Sequence, residues 1–586
     1  MSSTSEMRRI AIDNNAHPTT HPVWLFAAIG IWLLILALAM WRYHGPQLVT
    51  ATELQNPLMY SGANAEKILF ELVGNGVPHP AGSKDNIRVR ELIMDMVRGL
   101  GFDVYQQKTD SHIHSDLANP KVELTNILFR LEGTNSNDSP AVMLVAHHDS
   151  SRNGPGAGDD GVGVAAVLEI ARMLKSQPAP RNDVIFLITD GEEYGLLGAA
   201  RFCEEHSWAK QVRVCINLEA RGTSGPSLMF QSSEDNLWLV KLMAGHLNRP
   251  YTSSLFFEIY RRLPNDTDFT VFKKFGIAGY NFAFIGDIRN YHTPNDSFEN
   301  VSRASLQHHG GNALQLLTAL ADYDLNSIGG GNAVYFDVFG CFVVWWPDWM
   351  TLPWSVGLLI VMLMAIRSGA TDSVPTNRRL QIERIIAAFL LILITVAAVV
   401  GIVTMIGRRL AVDGDFKSPW PEAPFSLLMA YWTSALVALI VLIRVVQIRI
   451  RLADWTHAIG LVWIVIAVLL AVFLPGASYL FLVPATVMIF GVILLRFLPS
   501  AQAPFIFLLV WTIAVGVVWI PMQPLFYDAL GFRFSIVVAI LASIVTSTLL
   551  PYIGTMSNRS SWHTAATTGF AAATFAIIAI VQNRAA

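Results

Sequence analysis

Five polar groups follow one another along one stretch of this chain. They are His147-His148-Asp149, Gly158-Asp159-Asp160-Gly161, Asp190-Gly191-Glu192-Glu193, Asn217-Leu218-Glu219 and Tyr291-His292-Thr293. Each pair or triplet alone is common. The ordered set, with its members lying just after strand-like runs, has the spacing that two zinc ions bridged by one carboxylate require. Zinc takes imidazole nitrogen and carboxylate oxygen at about 2.0–2.2 Å and keeps an open position for water. Two ions about 3.5–4 Å apart clamp both the attacking and the developing oxygen of a hydrolysis. Such a centre wants one shared carboxylate, terminal ligands on each ion and a free carboxylate to take the water proton. Asp159, in a glycine-rich turn where backbone can come close, suits the shared role. His147 and His292 suit one terminal position on each ion, and Glu193 and Glu219 complete them. Glu192 is left as general base. Asp149, two residues after His147, is placed to hydrogen-bond that imidazole and fix its tautomer. The set reads as a metallohydrolase.

The elements that must carry these residues are strands alternating with helices. Val142-Met143-Leu144-Val145 leads to His147, and Asp183 to Thr189 leads to the Asp190 group. Val212 to Leu218 leads to Glu219, and Ile277 to Phe282 precedes His292. Val162 to Leu174 has apolar residues at helical spacing (Val164, Val167, Leu168, Ala171). Buried strands alternating with helices predict an α/β domain with a mostly parallel, mixed sheet flanked by helices. In such sheets ligands bind beyond the carboxyl ends of the strands, where the polar groups fall. Asp160 is expected to cap the following helix, and His148 to line a cleft wall. Asp266 and Asp268 lie in a polar stretch beside the site with no assigned role. His112, His114, His308 and His309 are expected on the surface.

The surroundings of this domain are apolar. The chain has 586 residues, 53% hydrophobic and 15% charged, with mean hydropathy +0.43. Globular proteins average about 25% charged, so a large part is expected in lipid. A net charge of -3 predicts no nucleic-acid partner. Three cysteines are too few for a disulfide framework or a cysteine zinc site; Cys203 and Cys215 are read as two buried thiols, with a bridge between them conceivable if the domain is extracytoplasmic.

Residues 1–22 are expected to be a cytoplasmic tail and 23–41 an uncleaved transmembrane anchor, about the length that crosses ~30 Å of hydrocarbon. The α/β domain is assigned to 50–325. An all-α polytopic transmembrane bundle of about eight helices is assigned to 350–582, from runs near 350–366, 385–406, 425–443, 456–474, 477–495, 504–521, 534–552 and 563–581. With the tail inside, Arg8, Arg9, Arg367, Arg378, Arg379, Arg384, Arg444, Arg449, Arg451, Arg496 and Arg559 fall on the cytoplasmic side. Arg408, Arg409, Lys417, Arg533 and Arg584 fall opposite. That excess predicts an extracytoplasmic catalytic domain, in the periplasm of a bacterium or the lumen of a eukaryotic organelle.

The motifs HHD at 147–149, DDGVG at 159–163, EEYGLLG at 192–198, NLE at 217–219 and YHT at 291–293 resemble the di-zinc aminopeptidase family of metallopeptidase clan MH. The arrangement of anchor, domain and apolar runs, with Val334-Tyr335-Phe336-Asp337-Val338-Phe339-Gly340 between domain and bundle, is similar to its membrane-bound types, the endoplasmic reticulum metallopeptidase and vacuolar membrane protease. The resemblance implies two zinc ions per chain: His147, Asp159 and Glu219 on one, and Asp159, Glu193 and His292 on the other. It implies Glu192 as base, Asp149 orienting His147, Tyr291 as a substrate-binding donor to the oxyanion, and cleavage at peptide or protein N-termini. Many soluble members have Asp where Glu219 stands. Alternative activities on the same fold are a dipeptidase, a carboxypeptidase or a glutaminyl cyclase, or a receptor-like protein without catalysis. Oligomeric state is left open.

Overall fold

A computed structural model describes residues 23–43, 45–49, 59–112, 121–135, 139–326, 328–368, 424–446, 452–495, 497, 502–530, 535–555 and 558–585, with scattered positions between 383 and 402. The chain divides into two compact units. One holds Met40–Thr351 with Leu474–Ala477, and the other holds Met1–Ala39, Leu352–Phe473 and Ser478–Ala586.

The first unit is built on an eight-stranded sheet in the order β1-β2-β4-β3-β5-β8-β6-β7. Its strands are β1 (Tyr105–His112), β2 (Lys121–Leu131), β3 (Ala141–His147), β4 (Asp183–Thr189), β5 (Val212–Ala220), β6 (Leu228–Ser232), β7 (Tyr251–Thr252) and β8 (Ala278–Phe284). The four central strands β4, β3, β5 and β8 run parallel. β1, β2 and β6 join the flanks in antiparallel pairings. The runs expected at Val142, Asp183, Val212 and Ile277 are these central strands. Sequence pattern does not single out the flanking ones, which are shorter or more polar.

Why the centre is parallel follows from burial. β3 and β4 are buried along their whole length, so both faces must be covered, as parallel strands generally require. Successive side chains alternate between faces. Val142, Leu144, Val184, Phe186, Val214 and Ile216 belong to one core with residues of α1 (Gly62–Val73), α2 (Lys84–Gly99), α3 (Val162–Lys175), α5 (Leu237–His246) and α8 (Arg303–Ala321). Met143, Val145, Ile185, Leu187 and Cys215 belong to the other, with Phe202 of α4 (Leu197–Glu205) and Phe269 and Phe272 of α7 (Asp268–Lys274). A further helix, α6 (Ser254–Tyr260), and a hairpin of β9 (Ala333–Val338) and β10 (Phe342–Pro347) complete the unit.

His308 and His309 are buried in α8 rather than on the surface. Backbone Ser227 N donates to His308 Nδ1 at 3.1 Å, and His308 Nε2 lies 2.8 Å from Arg249 O. Ser227 Oγ is 2.9 Å from His309 Nδ1. Burial lowers both imidazole pKa values, to about 4 and about 3. Two adjacent histidines read as solvated because their partners lie far away in sequence. His114 lies outside the described residues. Cys203 and Cys215 are free thiols, half-buried and buried.

The second unit is helical. Among the described residues, four helices are long and apolar enough to cross a membrane: Val23–Tyr43, Asp348–Arg367, Thr456–Phe473 and Ala503–Phe526. Met429–Ile443 and Tyr479–Leu494 are shorter apolar helices. The run expected at 534–552 is divided between helices Ser535–Ser547 and Leu550–Thr555, and that at 563–581 lies within helix Asn558–Ala585. The tail 1–22 and most of the run 385–406 lie outside the described residues. Hydroxyls inside these helices bond their own backbone: Thr433 Oγ1 donates to Met429 O, Thr512 Oγ1 to Leu508 O and Thr546 Oγ1 to Ala542 O. Such local bonds satisfy a polar group where hydrocarbon offers no partner.

Candidate metal centre

The carboxyl ends of the parallel strands converge on one acidic cluster. His147 ends β3 directly beside Thr189 at the end of β4. Glu219 lies one residue before the end of β5. Asp159 comes from the turn between β3 and α3, Glu192 and Glu193 from the turn after β4, and His292 from the loop after β8.

Two groups of ligand-type atoms form there, His147 with Asp159 and Glu219, and Asp159 with Glu193 and His292. Within each group the atoms lie within 4.8 Å of one another. Asp159 belongs to both. Its Oδ1 is 3.3 Å from His147 Nε2, and its Oδ2 is 3.1 Å from His292 Nε2. Glu219 Oε2 lies 3.8 Å from His147 Nε2, and Glu193 Oε1 lies 2.9 Å from His292 Nε2. That Glu193 oxygen is buried without a hydrogen-bond partner. A histidine nitrogen and a carboxylate oxygen that close, without hydrogen-bond geometry, suit two ligand atoms aimed at a common point. The mixed imidazole and carboxylate donors fit zinc.

Protein charges alone leave this cluster acid-rich. Burial, reinforced by Asp159, pushes the Glu193 carboxyl up to about 7. Burial likewise raises Glu219 to about 8 and drives Glu192 well above the usual carboxylate range, with Glu219 adding to it. Burial also acts against charge on Asp159 and His292, and there pairing wins. His147 and His292 hold Asp159 below its ordinary value. Asp159 and Glu193 raise His292 to about 10. Carboxylates outnumber the imidazoles able to neutralise them, the condition under which divalent cations are bound.

Second-layer contacts fix the ligands. His147 Nδ1 lies 2.9 Å from the backbone O of Asp149 and 3.6 Å from that residue's carboxylate. The imidazole is therefore held by the main chain. The Asp149 carboxylate, beside that imidazole, also accepts the backbone N–H groups of Glu192 at 3.1 Å and Glu193 at 3.3 Å. Asp160 accepts Gly163 N at 3.0 Å, capping α3, and also His147 N at 3.3 Å. His148 points away, with Nε2 3.1 Å from Thr125 O. Tyr291 stacks on His292, ring centroids 3.7 Å apart, and His292 itself has φ of 56°, a backbone conformation non-glycine residues rarely hold outside functional sites.

Three supports are not legible from motif spacing. Asp296 accepts Gly158 N at 2.6 Å and Asp159 N at 3.3 Å, clamping the turn that carries the shared ligand. Gly158 must be glycine, since a Cβ there would meet Gly222 O at 2.5 Å. Asn217 Nδ2 donates to Glu219 Oε1 and to Asn281 Oδ1, both at 3.1 Å. Asp268, left without a role by sequence, is buried, accepts Thr189 Oγ1 at 2.5 Å and keeps Oδ1 unpartnered. Asp296 had one available signal, its position four residues after His292 in a Thr-Pro-Asn-Asp turn.

Asp296→Ala removes the acceptor for two buried N–H groups and frees the Asp159 turn. Metal affinity should fall about 10–100-fold, the usual effect of losing an outer-shell partner, measured by competition with a fluorescent zinc chelator. Unchanged affinity would mean that the turn holds Asp159 without Asp296.

Residues 126–317 match Peptidase family M28. Endoplasmic reticulum metallopeptidase 1 of Homo sapiens is 37% identical over 233 residues, covering 38% of this chain and 26% of its own. Vacuolar membrane protease of Candida dubliniensis is 29% identical over 301 residues, covering 50% of this chain and 32% of its own. The chain thus spans about a third or less of the length of the curated relatives it matches. A zinc aminopeptidase from Bacillus subtilis superimposes at 18% identity with TM-score 0.37, covering 46% of this chain and 97% of that one, a score too low to carry an argument. All residues of the two ligand groups lie within the stretch that matches peptidase family M28.

Proposed function

We propose that this protein is a membrane-bound, two-zinc aminopeptidase that removes residues from free peptide N-termini. One observation carries the reading: the two oxygens of Asp159 face two separate ligand groups, His147 with Glu219 and His292 with Glu193. When bound there, zinc supplies Lewis-acid polarisation of a peptide carbonyl and makes water a nucleophile at neutral pH.

The chain's own residues supply the rest. Glu192 takes the proton of the attacking water and returns it to the departing amine. Asp149 acts through position, because its carboxylate grips the N–H of both Glu192 and Glu193 and keeps base and ligand in fixed relation. The Tyr291 hydroxyl donates to the carbonyl oxygen as negative charge develops on it, with its ring steadied against His292. The acidic surroundings of Glu192, Glu219 and Asp268 favour a substrate amine over an anionic group.

The arginine imbalance supports an extracytoplasmic catalytic domain and a multi-pass chain whose first span is Val23–Tyr43. Peptide N-termini and the bilayer are the partners this reading implies.

Exchanging acid for amide separates the two roles within the pair. Glu192→Gln should keep two zinc ions by elemental analysis and lose about 10²–10⁴-fold in turnover, the typical contribution of a positioned base. Glu193→Gln should lose zinc instead. The opposite pattern would reverse the assignments, and one zinc in active protein would sink the two-metal reading.

Substrate polarity gives a second test. A short peptide with a free N-terminus should be cleaved, while its N-acetylated counterpart should be nearly inert, since an acylated nitrogen can neither ligate metal nor carry charge. Equal rates for the two would move the assignment to an endopeptidase or carboxypeptidase.

Orientation can be read from a native residue. Cys341 is exposed while Cys203 and Cys215 are half-buried and buried. A membrane-impermeant thiol reagent should label Cys341 from the extracytoplasmic side of intact membranes; labelling only after permeabilisation would overturn the orientation.

A further inference from the structure

A second polar constellation lies around the β9–β10 hairpin and has no part in the metal centre. Arg42, in the last turn of the apolar helix Val23–Tyr43, donates from Nε to Phe339 O at 3.0 Å and from Nη2 to Gly340 O at 2.6 Å. The Tyr251 ring packs against the same turn. A Cβ on Gly340, whose φ is 60°, would meet Tyr251 Cε2 at 2.4 Å and Cζ at 2.8 Å. Only glycine therefore lets the hydroxyl end of the phenol reach this point. Tyr251 is 7% exposed, and its hydroxyl has no hydrogen-bond partner. Arg249 stands two residues before it. The carbonyl of Arg249 lies 2.8 Å from His308 Nε2, whose ring meets the Tyr251 ring edge-on at 5.8 Å. The Arg249 Nε is buried and also without a partner.

The charges do not balance. Among the described residues no carboxylate comes within ion-pair distance of Arg42 or Arg249. The neighbouring acid, Asp337, spends its oxygens on backbone groups, accepting Thr252 N at 2.9 Å and Gly340 N at 2.7 Å. Arg249 is held below its ordinary pKa by burial and by the proximity of Arg42, as two like charges around a shared space would be. Arg42 spends Nε and Nη2 on the turn, but Arg249 Nε and the Tyr251 hydroxyl are left without partners, and guanidinium forks match phosphate oxygens.

The position of this set along the chain suggests what presents the phosphate. Arg42 ends one apolar helix, and Trp349 and Met350, 70% and 38% exposed, begin another, Asp348–Arg367. Phe342, beside the turn, is 55% exposed. Exposed aromatic residues at the ends of apolar helices mark the headgroup level of a bilayer, where the phosphate of a lipid headgroup lies within reach of a guanidinium. We propose that Arg42, Arg249 and the Tyr251 hydroxyl form a binding site for a phosphate group, presented by the headgroup of an anionic phospholipid. The lipid source rests on the reading of Val23–Tyr43 as a membrane span; the phosphate chemistry does not.

The test uses the full chain with three probes: nanodiscs containing phosphatidic acid in phosphatidylcholine, nanodiscs of phosphatidylcholine alone, and inorganic phosphate added to protein in detergent. Native mass spectrometry and the thermal midpoint report binding. Wild type should retain phosphatidic acid in preference to phosphatidylcholine. Arg249→Gln, on a half-exposed side chain, should weaken that retention about fivefold, the scale of one basic residue near an anionic surface. Tyr251→Phe should weaken it less, and the exposed control Arg98→Gln not at all. Zinc content equal to wild type certifies that each variant is folded. Inorganic phosphate that binds and is lost with Arg249→Gln, without any lipid preference, supports the phosphate site and assigns it a soluble source. No lipid preference together with no phosphate binding overturns the proposal, as does an anionic preference that survives both Arg42→Gln and Arg249→Gln. Protein that partitions into the soluble fraction without detergent would refute the membrane reading while leaving the phosphate arm decisive.

Discussion

The sheet-containing unit is organised around buried negative charge that its own residues do not neutralise. Asp149, Asp159, Asp160, Asp190, Glu219 and Asp268 are all buried, and Glu192 and Glu193 join them from the turn after β4. An isolated carboxylate in low dielectric is costly and tends to protonate. The raised pKa of Glu193, Glu219 and Asp268 is that tendency. Asp159 escapes it because two imidazoles flank it. The turns around it are arranged to hold the charges apart, with Asp296 on the Gly158–Asp159 backbone, Asp149 on the Glu192–Glu193 backbone and Asp160 on α3. Each of these outer carboxylates spends its oxygens on N–H groups. Asp159, Glu193 and Glu219 each keep an oxygen for the shared centre.

Much of this is legible in the sequence because the chemistry is concentrated at strand ends. The central strands announce themselves as short apolar runs, and the polar groups beside them come in recognisable order. α3 is legible from Val164, Val167, Leu168 and Ala171, all buried as the spacing predicts. What fails to show is whatever depends on distant pairing. β1 reads Tyr-Gln-Gln-Lys-Thr-Asp-Ser-His, with no apolar alternation to mark it, and exists because β2 pairs with it. His308 and His309 look solvated until Ser227 and the Arg249 carbonyl are placed against them. Asp149 was legible as a neighbour of His147, but its actual partners, the N–H groups of Glu192 and Glu193, sit more than forty residues on.

The helical unit follows different physics. Among the described residues its interior carries hydroxyls rather than charges, and several of these bond to the preceding turn of their own helix. Large aromatic side chains fill the contacts: Trp463 meets Phe481, Trp511 and Trp519. Trp519 Nε1 donates to Leu480 O at 2.8 Å and Trp32 Nε1 to Thr512 O at 3.0 Å, so these two indole N–H groups are matched in an apolar setting, whereas Trp511 Nε1 is buried without a partner. Such packing can be read only as anchoring from composition, because the partners that give it shape are brought together by tertiary structure.

The amide line behind Glu219 ties metal loading to strand pairing. Asn217 and Asn281 face each other in register across β5 and β8, and Gln231 continues the line into β6. Asn281 bonds Gln231 and Thr267, while Asn217 bonds Asn281 and Glu219. A one-residue slip of β8 turns every side chain to the opposite face, so Asn281 leaves this line and Glu219 loses the support that aims its carboxylate. Register of the sheet, as much as the identity of the candidate ligands, thus sets where the Glu219 carboxylate points.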